Sequence, residues 1–349
     1  VISVIIADDS AIYRSMLRKA FEGSDDIDVV STALNGSIAL KKIRNYKPDL
    51  VLLDFEMPEL NGLEVLEQLK EEEYQPKVLM VSAHTAEAAN LTIDALSAGA
   101  IDFIVKPTED TPEASIAKLK EQIISRIDGI FHLGQREANT LTRTAPPAQK
   151  ETARHVKIPK HSRDIIALGV STGGPEALKR VIPQLPADFA PTILVTVHMP
   201  PVFTHSYAQA LDRLSKITVK EAASGETALP GVCYIAPGDY HLKMDSGRVL
   251  SCEKGPYRNN CRPSVDVMFE SLYDTAERTM AVIMTGMGSD GARGMQGLKL
   301  AGAVTIAQSG ETCVVNGMPQ SARALGCVDR VVPLNEIYQQ IIDYAVTVS

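Results

Sequence analysis

From residue 1 to about 130, short runs of β-branched and aliphatic residues alternate with longer stretches whose apolar positions recur three and four apart. The runs predict strands over residues 1–7, 27–33, 50–54, 77–82 and 101–105. Between them, residues 11–21, 37–45, 62–71 and 86–98 carry helical spacing. Strand and helix in strict alternation imply a parallel sheet with crossover helices, hence an α/β domain of five parallel strands, doubly wound, over residues 1–130. The periodicity then lapses, and Ala145-Pro146-Pro147-Ala148 marks a linker, assigned to residues 131–163. It resumes with apolar runs at 164–170, 191–197, 233–236, 281–285 and 303–307, which predict a larger α/β domain with a mainly parallel sheet over 164–349.

In a parallel sheet the carboxyl ends of all strands open on one crevice, so residues far apart in sequence converge there. Asp8 and Asp9 follow the first predicted strand, Asp54 ends the third, Ser82 ends the fourth, and Lys106-Pro107 follows the fifth. Three carboxylates that close repel unless a cation intervenes, and hard oxygen ligands suit Mg²⁺. A carboxylate beside a metal and a lysine is a nucleophile toward phosphoryl groups, and Asp54 is best placed for it. Taken singly, each acid is better read as a helix N-cap; five such residues at successive strand ends point to a site.

These motifs, with Leu53-Asp54-Phe55-Glu56-Met57-Pro58 and Ser82-Ala83, resemble the receiver domain of bacterial response regulators. The resemblance implies phosphorylation of Asp54 by a chemotaxis histidine kinase, with Mg²⁺ held by Asp8, Asp9, Asp54 and the Glu56 carbonyl. It further implies phosphoryl binding by Ser82 and Lys106, an aromatic switch at Phe103, and a cis Lys106-Pro107 bond.

In the second half, the first strand runs into Gly169-Val170-Ser171-Thr172-Gly173, a GxSxG arrangement that lifts a serine above a sheet beside free backbone amides. Ser171 is the candidate nucleophile; a phosphate-binding turn or a plain helix cap fits the same five residues. A serine needs a base, and His198 follows the next strand. Asp290, after the strand at 281–285, is the candidate third member. The same loop is a rival motif, because Gly286, Gly288 and Gly291 spell GxGxxG with Glu311 twenty residues on, the spacing of a dinucleotide fingerprint. Spacing alone leaves the two readings nearly even.

Residues 169–177 (GVSTGGPEA), His198-Met199-Pro200-Pro201, Arg262-Pro263-Ser264-Val265-Asp266 and residues 285–291 (TGMGSDG) resemble the chemotaxis protein-glutamate methylesterase family. What that resemblance implies is hydrolysis of glutamate γ-methyl esters on chemoreceptors by Ser171, His198 and Asp290, with glutamine deamidation as a further activity and no cofactor for the ester reaction. It places the Met287 amide in the oxyanion hole, gives Thr172 a supporting role toward His198, and makes methylated chemoreceptors the substrate.

The rest of the composition narrows the alternatives. A net charge of −8 speaks against nucleic acid as a partner. No window reaches the roughly 20 apolar residues of a membrane helix and the first residues are not those of a secretory signal, so a cytoplasmic protein not inserted in the membrane is expected. Five cysteines without a close pair fit neither a disulfide framework nor a zinc motif and read as buried thiols. A phosphorylation-controlled binding module without chemistry remains a second function class.

Overall fold

The computed structural model describes residues 1–131 and 163–346, so the expected linker over 131–163 falls almost wholly outside the described residues. The first domain has strands β1 (Ile2–Ala7), β2 (Ile27–Ala33), β3 (Leu50–Asp54), β4 (Lys77–Ser82) and β5 (Asp102–Val105). Helices α1 (Ala11–Ala20), α2 (Gly36–Tyr46), α3 (Gly62–Lys70), α4 (Ala86–Ala98) and α5 (Pro112–Phe131) alternate with them. Helix starts follow local chemistry: Asn35 and Thr85 accept from Ile38 N and Ala88 N, and Asn61 with Glu64 forms a capping box. All pairings are parallel in the order β2-β1-β3-β4-β5. The order reverses beside β1, which brings the ends of β1 and β3 to one crevice.

The second domain carries β6 (Ile165–Val170), β7 (Thr192–Val197), β8 (Thr218–Glu221), β9 (Val232–Ile235), β12 (Thr279–Ile283), β13 (Val304–Gln308) and β14 (Arg330–Val332) in one parallel sheet. Its order is β14-β13-β12-β6-β7-β9-β8, and an antiparallel pair, β10 (His241–Met244) and β11 (Leu250–Glu253), stands apart. The helices are α6 (Gly174–Val181), α7 (Phe203–Leu214), α8 (Val265–Glu270), α9 (Ala292–Leu300), α10 (Gly317–Ala324) and α11 (Leu334–Val346). Strands β6, β7 and β12 are wholly buried, as mainly apolar, β-branched strands covered by helices on both faces should be. Because β6 lies between β12 and β7, the loops after these three strands are neighbours.

Two local expectations are corrected. The cis peptide bond is Arg262–Pro263, and Lys106–Pro107 is trans, a geometry in which the Lys106 ammonium already reaches its carboxylate partners. The strand expected at 281–285 ends at Ile283, since Thr285 leaves the ladder to bond Gln308 Oε1 through its amide and Thr172 O through its hydroxyl.

The two domains touch. Helix α4 packs against α7, and Lys179 Nζ on α6 bonds Ser97 Oγ on α4. Phe103 stacks on Phe203, with ring centroids 4.5 Å apart and an interplanar angle of 20°. Further along, Gly129 on α5 faces Met287 and Val315. Among the described residues, no helix is long and apolar enough to cross a membrane.

Candidate active site and phosphoacceptor cluster

Ser171 follows β6 without a spacer, and its amide donates to Thr285 O at 3.0 Å. The chain then turns into α6 through Gly173, whose φ of 76° and contact with Val314 exclude a side chain. A Cβ at Gly286 would lie 2.8 Å from Ser171 Cβ, so the loop after β12 is seated directly against the serine. Among the described residues, the Met287 and Thr172 amides donate no hydrogen bond; Thr172 follows Ser171 in the chain, and Met287 follows Gly286, which is seated against the serine.

His198 follows β7, and its amide donates to Val170 O at 3.3 Å. Its Nε2 lies 2.9 Å from Asp290 Oδ2. Asp290 is buried and saturated: Oδ1 accepts from Ser264 Oγ (2.7 Å), Asn259 Nδ2 (2.8 Å) and Asp266 N (3.2 Å), and Oδ2 also accepts from Val265 N (2.7 Å). Burial works against its charge, but these bonds, from His198 above all, overcome it and hold the carboxyl down to about 2. For His198, burial favours the neutral ring, yet Cys261 and Asp290 beside it raise its pKa to about 10. An ionised Asp290 can only accept, so the neutral ring keeps its proton on Nε2 and a lone pair on Nδ1. That Nδ1 faces Cys261 Sγ at 3.6 Å. Among the described residues, no hydrogen bond joins Ser171 Oγ to His198.

The structure departs from expectation at Thr172. Its hydroxyl does not approach His198 but donates to Asp102 Oδ2 of the first domain at 2.7 Å, because the docked β5 brings a carboxylate to it. The Met287 side chain packs on Gly129 of α5. The first domain thus lies over both ends of the candidate oxyanion site.

In the first domain, Lys106 Nζ stands 2.9 Å from Asp54 Oδ2 and 3.0 Å from Asp8 Oδ2, over the Tyr13 ring. Asp8 and Asp54 are buried and Asp9 is exposed; one carboxylate oxygen from each lies within 4.8 Å of the others. Burial and the Asp8 charge outweigh Lys106 and push the Asp54 carboxyl up to about 6. Asp8 Oδ2 is buried and makes no well-directed hydrogen bond. An excess of negative charge on oxygen ligands, three carboxylates against the single charge of the Lys106 ammonium, fits a hard divalent cation. Glu56 is exposed two residues after Asp54. Ser82 Oγ accepts from Thr92 Oγ1 at 2.7 Å instead of facing Asp54, and Phe103 is turned into the domain contact.

Sequence reading missed Cys261 beside His198, Asn259 beside Asp290, and Asp102 beside Thr172. Cys261 is half-buried where a buried thiol was expected, because a turn presents it to His198. Ser264 and Val265 belong to a motif the sequence did display; their grip on Asp290 follows from Ser264 capping α8. The dinucleotide reading loses its acid: β13 ends at Gln308, and Glu311 lies in the 3₁₀ turn Gly310–Thr312 beyond it.

Comparison with known proteins agrees with this geometry. Residues 166–341 match the family described as CheB methylesterase, and residues 4–116 match the response regulator receiver domain. A Desulfotalea psychrophila protein named protein-glutamate methylesterase/protein-glutamine glutaminase is 42% identical over 355 residues, covering 97% of each chain. A Geobacillus kaustophilus protein of the same name is 42% identical over 350 residues, covering 98% of each. The crystal structure of the Thermotoga maritima CheB methylesterase catalytic domain shares 44% identity and a TM-score of 0.51, covering 52% of this chain and 99% of that one.

Proposed function

This chain belongs to the CheB methylesterase family, with a response regulator receiver domain ahead of the esterase, and we propose that it hydrolyses glutamate γ-methyl esters on chemoreceptors under control of phosphorylation at Asp54. We take residues 1–130 as the receiver, 131–163 as the linker and 164–349 as the esterase domain. The observation that carries the reading is the placement of Ser171, His198 and Asp290 after three adjacent strands, with Asp290 bonded to His198 at 2.9 Å.

In this reading His198, which Cys261 and Asp290 hold in its charged form, first yields its Nδ1 proton to solvent; Ser171 Oγ then attacks the ester carbonyl while Nδ1 takes its proton. Asp290 keeps the ring in the Nε2–H tautomer and stabilises the imidazolium. The oxyanion is received by the Met287 and Thr172 amides; losing one such donor costs about 3–4 kcal/mol of transition-state stabilisation. His198 returns the proton to the departing methoxide, methanol leaves, and water repeats the sequence to give glutamate. The same steps release ammonia from a glutamine side chain, in keeping with the double name of the relatives.

Asp8, Asp9, Asp54 and the Glu56 carbonyl would hold Mg²⁺, which when bound neutralises charge on a phosphoryl group at Asp54. Lys106 pairs with the same group, and Ser82 rotates from Thr92 to meet it. That rearrangement pulls on β5 and α4, the elements docked against α7, and loosens a receiver that otherwise covers Thr172 and Met287. The partners are a chemotaxis histidine kinase as phosphodonor and methylated chemoreceptors as substrate, met on the cytoplasmic side.

Methanol release from methylated receptor membranes, with and without Mg²⁺ and a small phosphodonor, tests the reading. Release that requires Ser171 and rises with phosphodonor supports it; release by Ser171→Ala at the full rate refutes it.

A further inference from the structure

His198 has a neighbour for which ester hydrolysis has no use. The backbone closes a turn by Arg258 N to Cys261 O (3.1 Å) and Cys261 N to Arg258 O (2.8 Å), passing Asn259 and Asn260 through left-handed φ of 51° and 58°. The turn holds the half-buried Cys261 Sγ 3.6 Å from His198 Nδ1 and 3.3 Å from Asn259 O. In a tetrahedral zinc site, with bonds of about 2.3 Å to sulfur and 2.0–2.1 Å to nitrogen, the two ligand atoms stand about 3.5 Å apart. Cys261 and His198 already have that separation.

The surroundings match the same chemistry. On the opposite ring nitrogen, Asp290 accepts the Nε2 proton, which is how carboxylates orient and enrich metal-binding histidines. Its oxygens are filled by five donors, so it orients the ligand and does not join it. A ring nitrogen, the thiol and a carboxylate oxygen lie within 4.8 Å of one another. Thiolate and imidazole select a borderline-soft ion, whereas the three carboxylates of the receiver select a hard one.

We propose that Cys261 and His198 form a binding site for Zn²⁺ and that the ion silences the esterase. On binding, the Cys261 thiol and His198 Nδ1 each give a proton to solvent, bonds form from zinc to Sγ and to Nδ1, and water completes the shell. The occupied lone pair is the one that would receive the Ser171 proton. Silencing therefore rests on the triad reading; binding does not.

Co²⁺ is the probe, added to the full-length protein with excess Mg²⁺ to fill the receiver cluster. Thiolate-to-cobalt charge-transfer absorption is expected in the native protein and in Ser171→Ala, and is expected to vanish in Cys261→Ser, Cys261→Ala and His198→Gln. Circular dichroism confirms folding, and since Cys261 sits in a half-buried turn the two cysteine variants report even if His198→Gln does not fold. The half-inhibitory Zn²⁺ concentration for methanol release should rise at least about tenfold in Cys261→Ser. No band in the native protein, or a band that survives loss of Cys261, overturns the site. Binding as expected with methanol release unimpaired by Zn²⁺ keeps the site and overturns both the silencing and the role of Nδ1 as base.

Discussion

Asp102 of the receiver accepts a hydrogen bond from Thr172, the residue after the candidate nucleophile, at 2.7 Å. Asp102 is itself held by Arg126 Nε at 3.2 Å, so a carboxylate anchored in the receiver grips the rim of the esterase site. The contact couples the regulatory surface to the chemistry through one residue step, with no intervening network.

Asp102→Ala should release this latch. A partly buried hydrogen bond to a charged group is worth about 1.5–3 kcal/mol, and at the low end that shifts the ratio of open to docked protein roughly tenfold. Methanol release without phosphodonor is expected to rise accordingly. A rate equal to that of the unchanged protein would show that the bond does not hold the dock.

The Phe103–Phe203 stack gives an independent handle. Both rings are buried, so single Phe→Leu substitutions disturb each domain's own core as well as the contact. A double-mutant cycle removes those private costs. Coupling of about 0.5–1.5 kcal/mol is expected in the phosphodonor-free rates of the four proteins, and additivity would mean the rings merely touch.

The receiver was legible because its strands are long, apolar and bounded by capping residues: residues 27–33, 50–54 and 77–82 coincide with the observed strands. Elements that escaped are short and polar, such as Thr218–Glu221 at the sheet edge and the pair His241–Met244 and Leu250–Glu253. Ser171, His198 and Asp290 could be grouped into one candidate site because parallel topology places strand ends together whatever lies between them. Asp102, Cys261 and Asn259 were not, since each acts through a contact made only when loops or domains close on one another, and periodicity carries no record of that.

Gly129 marks where the dock can be wedged open. A Cβ there would lie 3.1 Å from Met287 Cγ and Sδ and 3.2 Å from Val315 Cγ1, so even alanine would press on its neighbours and leucine would not fit. Within α5 the same change favours helix by roughly 0.5–1 kcal/mol, leaving the receiver at least as stable. Gly129→Leu should therefore raise phosphodonor-free methanol release while the isolated receiver keeps or gains melting temperature. Higher activity with a destabilised receiver would instead indicate damage.

Asp290 should show in both stability and rate. Its folded pKa is depressed to about 2 from 3.8, so its contribution of about 2 kcal/mol is present above pH 4 and lost as pH falls through 2. His198 is raised to about 10 from 6.5, so its contribution is complete below 6.5 and lost as pH climbs toward 10. Both shifts include the one His198–Asp290 contact and do not add, and this pair's contribution is greatest between about pH 4 and 6.5. In Asp290→Asn the amide can donate to Nε2, which moves the ring proton to Nδ1 and removes the lone pair needed to accept the Ser171 proton. Turnover should drop by roughly ten-thousandfold, as expected for a wrong tautomer, and the acid-side stability loss from this group should vanish. Urea unfolding from pH 2 to 10, with methanol release measured near neutrality, checks both. A fall of less than tenfold in turnover would remove Asp290 from the mechanism.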